Sequence, residues 1–333
     1  MTDFDAIPVI DLAPLGAPLG DPDCGARDRL AAAFRDAYEN IGFSYVVNHG
    51  VDSELIAAVF AASRAFHALP RADKQAVRLN ANHRGFIAID TSTDRNSKLA
   101  RVTKPNQSES FIMMREAGPE DPDVEAGAYL AGPNLWPEAL PGFREAATRY
   151  DSALGDLGSK LVRVIAQALG TDPDDFALAF DPPTTFLRLL RYPPQPPMSP
   201  GDLYGSAPHC DFGFITILAQ DEAGGLQVRN TAGAWIDAPY LPGAFVVNTG
   251  DMLHRWSNGR LRSTPHRVIN RSGRARYSCP FFFDPHVGTE IAPLESCIGP
   301  DRPAAFEPIV YGEFLRAELS AGYQAHGGKR AGA

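Results

Sequence analysis

Lysine is scarce in this chain, contributing five of the 31 basic residues, and acids outnumber bases to give a formal net charge of −9 at pH 7. A surface that grips nucleic acid or an anionic membrane needs a basic face to displace counterions, so neither partner is expected and a small molecule is favoured. Long apolar runs are also missing, and the first residues carry acid where a leader peptide carries Lys or Arg. Both absences predict a cytoplasmic protein with no membrane partner. Cysteine is confined to Cys24, Cys210, Cys279 and Cys297, at spacings that fit neither a zinc clip nor a disulfide framework, so free thiols are expected. No internal repeat or low-complexity tract is evident, and the lysine-poor, alanine-rich composition points to a GC-rich bacterial gene.

What is present is enough apolar residue, 44% of 333, to bury a sizeable core. Residues 6–12 read as a short strand. Leu30, Phe34, Ala37 and Ile41 recur at helical spacing up to Gly42, and 43–48 has the β-branched and aromatic make-up of a strand. A second helix is predicted over 53–69, with Ser53 as N-cap and Pro70 as its stop. The polar stretch 71–140 reads as loops with one strand near 110–114. Leu154, Leu157, Leu161, Val164, Ile165 and Ala168 mark a long helix over 142–169 that ends at Gly170 and braces a sheet.

Beyond Pro183 the pattern breaks into short apolar or alternating runs at 186–192, 213–219, 226–229, 244–248, 252–256, 266–270 and 275–283. So many strands with so few helices between them suggest an antiparallel barrel or a double-sheet jelly roll. The expected fold class is mainly β with flanking helices, around a double-stranded β-helix (jelly-roll) core. Residues 1–140 are expected to form an N-terminal helical and strand region that packs on the core without being independent. Residues 141–333 would supply the bracing helix, the jelly roll and a C-terminal helix.

The chemistry is concentrated in Pro208-His-Cys-Asp211, where strand alternation turns His209 and Asp211 to one face and Cys210 away. His266 follows 55 positions after Asp211 in another strand-like run. Two imidazoles and one carboxylate on one side of a metal form the facial triad of non-haem Fe(II) oxygenases, which leaves three positions open. Zinc would accept the same donors with a water, and an H-x-D pair alone is more often structural than metal-binding. Arg276-Tyr-Ser278 separates these readings, because the same period places guanidinium and hydroxyl on one inward face. A buried arginine is rare unless it meets an anion, and its planar fork suits a carboxylate. Phe282 shares that parity and can wall the pocket. His254, His49, Asn48 and Asp251 are read as packing or turn residues.

In order along the chain come Arg191-Tyr-Pro-Pro194, His209-Cys-Asp211, Gly224-Gly-Leu-Gln227, Asn248-Thr-Gly-Asp251, Ser257-Asn-Gly259, His266-Arg-Val268 and Arg276-Tyr-Ser278. With this series the segment from Arg188 to Pro285 resembles the isopenicillin N synthase-like branch of the 2-oxoglutarate and Fe(II)-dependent dioxygenases. Ile7-Pro-Val-Ile-Asp-Leu12 and the region from Gly42-Phe43 to Val47-Asn-His-Gly50 are similar to that family's N-terminal region. The resemblance implies Fe(II) held by His209, Asp211 and His266, and the distal carboxylate of 2-oxoglutarate held by Arg276 and Ser278 with help from Tyr192. It also implies O2 as the other cosubstrate, release of succinate and CO2, and oxidation of an unactivated C–H bond of a small metabolite by hydroxylation, desaturation or cyclisation. Bacterial secondary metabolism is the expected setting. One departure is Leu190, where many relatives carry Asn. Two other classes stay open: an Fe(II) oxidase that uses O2 without 2-oxoglutarate, and a non-catalytic sensor of iron and 2-oxoglutarate.

Arg95, Lys98, Arg101 and Lys104 put four bases in ten positions, close after Arg84-Gly-Phe86. Such a segment can close over the barrel mouth and draw in an anionic substrate, with Arg84 in the pocket. The plainer alternative is a solvated loop.

Overall fold

After Pro183 the alternating apolar residues have two layers to fill, one against helices and one against a second sheet, and the strands arrange themselves accordingly. The structure, a computed structural model, describes residues 3–16, 24–91, 99, 102, 104–195 and 203–323. Its strands are β1 (Val9–Asp11), β2 (Phe43–Val47), β3 (Gly85–Ile87), β4 (Glu109–Met114), β5 (Thr184–Tyr192), β6 (Ser206–His209) and β7 (Ile215–Gln220). They continue with β8 (Leu226–Arg229), β9 (Trp235–Ala238), β10 (Phe245–Thr249), β11 (His266–Val268), β12 (Arg276–Asp284), β13 (Glu290–Ile291) and β14 (Ile309–Val310). The major sheet has eight strands in the order β1-β2-β10-β7-β12-β5-β4-β3, and the facing sheet has four, β6-β11-β8-β9. This is a double-stranded β-helix, and the first four strands of the chain extend its major sheet at both edges.

Alternation divides each major strand between two cores. Leu187 and Leu189 of β5 join Phe281 and Phe283 of β12 in a core shared with the helices. Leu190 and Tyr192 point the other way and meet Leu218, Leu226, Val228 and Val268 between the sheets. The long helix Phe143–Leu169 lies on the outer face, and at Gly158 it approaches so closely that a Cβ there would sit 2.6 Å from the Phe283 ring. Gly170, in a left-handed conformation at φ 74°, ends it.

The first helix is Cys24–Asn40 and the second Ser53–Ala68. Asp52, not Ser53, caps the second, its carboxylate accepting from the Glu54 N–H at 2.8 Å, because Ser53 is already helical. Two further expectations are corrected. The stretch 71–140 holds two strands, β3 and β4, and two short helices, Arg71–Ala76 and Pro122–Glu125. The run 252–256 is not a strand but part of the helix Asp251–Trp256, whose buried Met252, Leu253 and Trp256 fit one helical face. Beyond Pro183, β9, β13 and β14 went unread, and the strand expected through Pro208–Asp211 is β6, which ends at His209. A C-terminal helix, Tyr311–Tyr323, is present. Cys210, Cys279 and Cys297 are free thiols. Among the described residues no helix is long and apolar enough to cross a membrane.

Candidate active site

The facing sheet brings the two histidines together by register alone. His209 closes β6, His266 opens β11, and the two residues are paired directly across these antiparallel strands with ring centroids 4.3 Å apart. Each Nδ1 lies against a backbone carbonyl, His209 with Ala207 at 2.8 Å and His266 with Thr264 at 3.2 Å. A carbonyl can only accept, so Nδ1 carries the proton and each Nε2 presents its lone pair to the cavity.

Asp211 reaches the same point from the turn after β6 rather than from the strand, which ends at His209. Its backbone is held there by the Asp251 N–H on the Asp211 carbonyl at 2.9 Å and by the Met252 N–H on the Gly213 carbonyl at 3.0 Å. One carboxylate oxygen, Oδ2, accepts from Asn248 Nδ2 at 2.7 Å and from the Thr216 hydroxyl. The other, Oδ1, is left facing both imidazoles, 3.6 Å from each Nε2. Burial opposes ionisation of Asp211, but the positive charge that the His266 and His209 imidazoles carry when protonated, together with the Thr216 hydroxyl, outweighs it and holds the carboxyl below its usual range. The three donor atoms lie within 4.8 Å of one another. Cis ligands about 2.1 Å from a shared ion stand roughly 3 Å apart, so the donor set fits a metal with little adjustment.

Asp284, at the end of β12, supports this turn from below. Its Oδ1 accepts from the Phe214 N–H at 2.6 Å, and its Oδ2 accepts from the Tyr311 hydroxyl at 2.7 Å. A Cβ on Gly213 would lie 1.9 Å from the same carboxylate, which is why the turn has glycine there. Burial, reinforced by the Asp211 charge, pushes Asp284 up to about 7 against the two hydrogen bonds it accepts.

From His209, Asp211 and His266 a cavity runs between the sheets to Arg276. Arg276 is fully buried. Its Nε donates to the Gly224 carbonyl at 2.6 Å and its Nη1 to Ser278 Oγ at 3.0 Å, while the guanidinium lies 4.6 Å over the Tyr192 ring. Among the described residues no carboxylate pairs with it. The register explains the cluster, since Arg276 faces Tyr192 and Ser278 faces Leu190 across β12 and β5. Phe282 lines the same cavity, with Thr216 opposite it on β7.

Arg84 is elsewhere. It is buried, but its guanidinium donates to Asn134 Oδ1 and to the carbonyls of Asn82 and Arg115 at 3.1–3.2 Å, and it is not among the residues lining this cavity. The structure therefore does not bring it to this cavity: three acceptors engage it near the start of the β3–β4 hairpin. Arg95, Lys98 and Arg101 lie outside the described residues. His254 faces the Leu261 carbonyl at 2.6 Å, and Val51 N–H donates to His49 Nδ1, so both settle local structure. Asp251 orders its segment through its backbone as the first residue of a helix. Sequence reasoning missed Thr216 altogether, and also Gln220, whose Oε1 accepts from Arg276 Nη2 at 3.4 Å. It noted Asn248 and Gly224 only as parts of motifs, without the carboxylate and guanidinium that they hold.

Two imidazoles and a carboxylate at the open end of a jelly roll define the class of mononuclear oxygenases with a facial metal site. The 2OG-Fe(II) oxygenase superfamily profile matches residues 183–285, and the N-terminal profile of non-haem dioxygenases in morphine synthesis matches 7–139. A 2-oxoglutarate-Fe(II) type oxidoreductase of Emericella nidulans is 33% identical over 96% of this chain and 90% of its own. A homoarginine-6-hydroxylase of Glycine max is 33% identical over 96% of this chain and 97% of its own. A full-length Neurospora crassa protein, solved in complex with alpha-KG and thymine, superposes with a TM-score of 0.82 at 29% identity, covering 95% of this chain and 96% of that one. The chain belongs to the 2OG-Fe(II) oxygenase superfamily. It is a dioxygenase dependent on Fe(II), 2-oxoglutarate and O2.

Proposed function

We propose that His209, Asp211 and His266 hold the iron, that Arg276 and Ser278 receive the distal carboxylate of 2-oxoglutarate over the Tyr192 ring, and that Phe282 walls the space left for a small-molecule substrate. The observation that carries this reading is the division of labour in the triad. Every ligand-bearing group has its other polar atom engaged, both Nδ1 atoms by carbonyls and Asp211 Oδ2 by Asn248 and Thr216, so that only the converging Nε2 and Oδ1 atoms are offered to a metal.

Bound iron, with 2-oxoglutarate and O2, supplies the oxidising power to break an unactivated C–H bond while the cosubstrate leaves as succinate and CO2. The chain's own part is placement. Arg276 offers a preset fork to an anion at the buried end of the cavity, Ser278 fixes its rotation, and the Tyr192 ring supports its face. Thr216 and Asn248 keep the Asp211 carboxylate aimed.

The substrate is read as an anionic metabolite handled in the cytoplasm, and the lysine-poor, alanine-rich composition supports a bacterial source and secondary metabolism. Residues 1–140 and 141–333 are read as one folding unit, since β1–β4 of the first segment hydrogen-bond into the sheet of the second. The deciding experiment is stoichiometry. Turnover should release one succinate per O2 consumed, and substrate oxidation at full rate with 2-oxoglutarate rigorously absent would show that the oxidase reading is the right one.

A further inference from the structure

Arg188 is a cation in the cavity wall that the metal and cosubstrate reading does not use. It lies on β5 with its side chain on the same face as Leu190 and Tyr192, and it lines the cavity with them. Its Nε donates to Ser110 Oγ on the neighbouring strand β4 at 3.0 Å, which fixes the plane of the guanidinium. Among the described residues no acid pairs with it, whereas Arg191, turned to the opposite face of the same strand, is neutralised by Glu109. Both Nη groups are thus left to whatever enters the cavity, and a partly buried guanidinium without a counter-ion is costly to keep.

The cosubstrate cannot serve as that counter-ion. Arg188 lies four positions before Tyr192, the strand neighbour of Arg276, which is about 13 Å along β5. A five-carbon dicarboxylate spans only roughly 5 Å between its end carbons. A molecule held at Arg276 and reaching toward the metal on the facing sheet therefore leaves Arg188 unmatched. The surroundings of Arg188 are those of an anchor with an apolar approach. The Ser108 hydroxyl lies on the same wall, and Pro280 and Phe282 of β12 line the cavity beside it.

We infer that Arg188 binds the carboxylate of the substrate to be oxidised, whose apolar body rests against Pro280 and Phe282, so that the substrate class is a small carboxylic acid. The inference rests on the assignment of Arg276 to the cosubstrate. A planar fork of N–H donors meeting a carboxylate is the strongest geometry available to that wall, and it fixes the orientation of the acid as well as its affinity.

The test uses full-length protein loaded with Mn(II) and 2-oxoglutarate, which binds without turning over. Octanoate, phenylacetate and indole-3-acetate are titrated by calorimetry beside their primary amides. At least one acid should bind and its amide should bind about 10-fold to 100-fold more weakly. Arg188→Gln should weaken that acid by the same factor and Arg188→Lys by less. Both variants should bind 2-oxoglutarate as the wild type does, which also shows that they are folded. The inference is overturned if no acid binds, if acid and amide bind alike, if Arg188→Gln leaves the acid unaffected, or if that variant loses 2-oxoglutarate as well. A wild type that binds the acid but not 2-oxoglutarate would instead remove the cosubstrate reading and leave the role of Arg188 standing.

Discussion

Replacing Arg276 by alanine should separate cosubstrate binding from metal binding. The side chain is fully buried and has no carboxylate partner among the described residues, so its charge is offset by neutral groups, the Gly224 carbonyl, the Ser278 hydroxyl, the Gln220 amide oxygen and the Tyr192 ring. A carboxylate entering the cavity gains up to two charge-assisted hydrogen bonds from the fork, at about 1.5–3 kcal/mol each. Two bonds at the low end amount to about 3 kcal/mol, or about two orders of magnitude in Kd, reduced where water enters the truncated space. Anaerobic calorimetry on Mn(II)-loaded protein should show this loss, while metal content stays at the wild-type level because Arg276 is no ligand. Arg276→Lys should recover part of it, since an ammonium keeps the charge and loses the fork. Thermal denaturation gives an independent reading: 2-oxoglutarate at 100 times the wild-type Kd should stabilise the wild type by about 2.7 kcal/mol and Arg276→Ala by roughly 0.4 kcal/mol. A Kd unchanged within twofold in Arg276→Ala would refute the reasoning outright.

Three further outcomes are expected. Asn248→Leu takes away a donor to Asp211 Oδ2 and should weaken Fe(II) about 10-fold to 100-fold, read by competition with a chelator, with the melting temperature moving little. Glu109 accepts from Lys74 at 2.9 Å and from Arg191 at 2.8 Å; burial raises its pKa, but the neighbouring His67 imidazole and the hydrogen bonds from Lys74 and Arg191 bring it down to about 2 from the ordinary 4.5. Its folded pKa being the lower one, its contribution is complete above pH 4.5 and is lost as the pH falls toward 2. The stability difference between wild type and Glu109→Gln should therefore shrink by up to about 3 kcal/mol over that window in urea titrations, and a constant difference would contradict the assignment. Gly158→Ala should cost about 1–3 kcal/mol in the same assay, because its Cβ would sit 2.6 Å from the Phe283 ring; a neutral result would mean that helix and sheet can separate freely.

The clustering of the candidate-site side chains was legible in the sequence because period-2 alternation and register are local properties. Arg276, Ser278 and Phe282 share one face of one strand, and His209 and His266 need only adjacent strands to meet. Asp211 converges with the histidines for a reason that differs from the expected one, since the turn, not the pleat, aims it. The short apolar run around Met252–Trp256 has the length at which helix and strand patterns cannot be told apart, and the helix won by burying three side chains on one face. Arg84 misled because nearness in sequence to a pocket-like segment says nothing about which acceptors a buried guanidinium will find. Pairings such as Glu109 with Arg191, or Asp284 with Tyr311, join residues far apart along the chain, and no periodicity announces them.

The last of these pairs bears on how relatives of this chain can be recombined. Tyr311 opens the C-terminal helix and donates to the acid under the turn that carries Asp211. A chimaera that exchanges its tail ahead of Tyr311 puts a foreign residue against Asp284, so the mismatch would be felt as lost iron retention as well as lost stability. A crossover placed after Tyr311 keeps donor and acceptor from the same parent, which makes the segment beyond it the portion of the C-terminal end that can be traded without re-tuning the metal site.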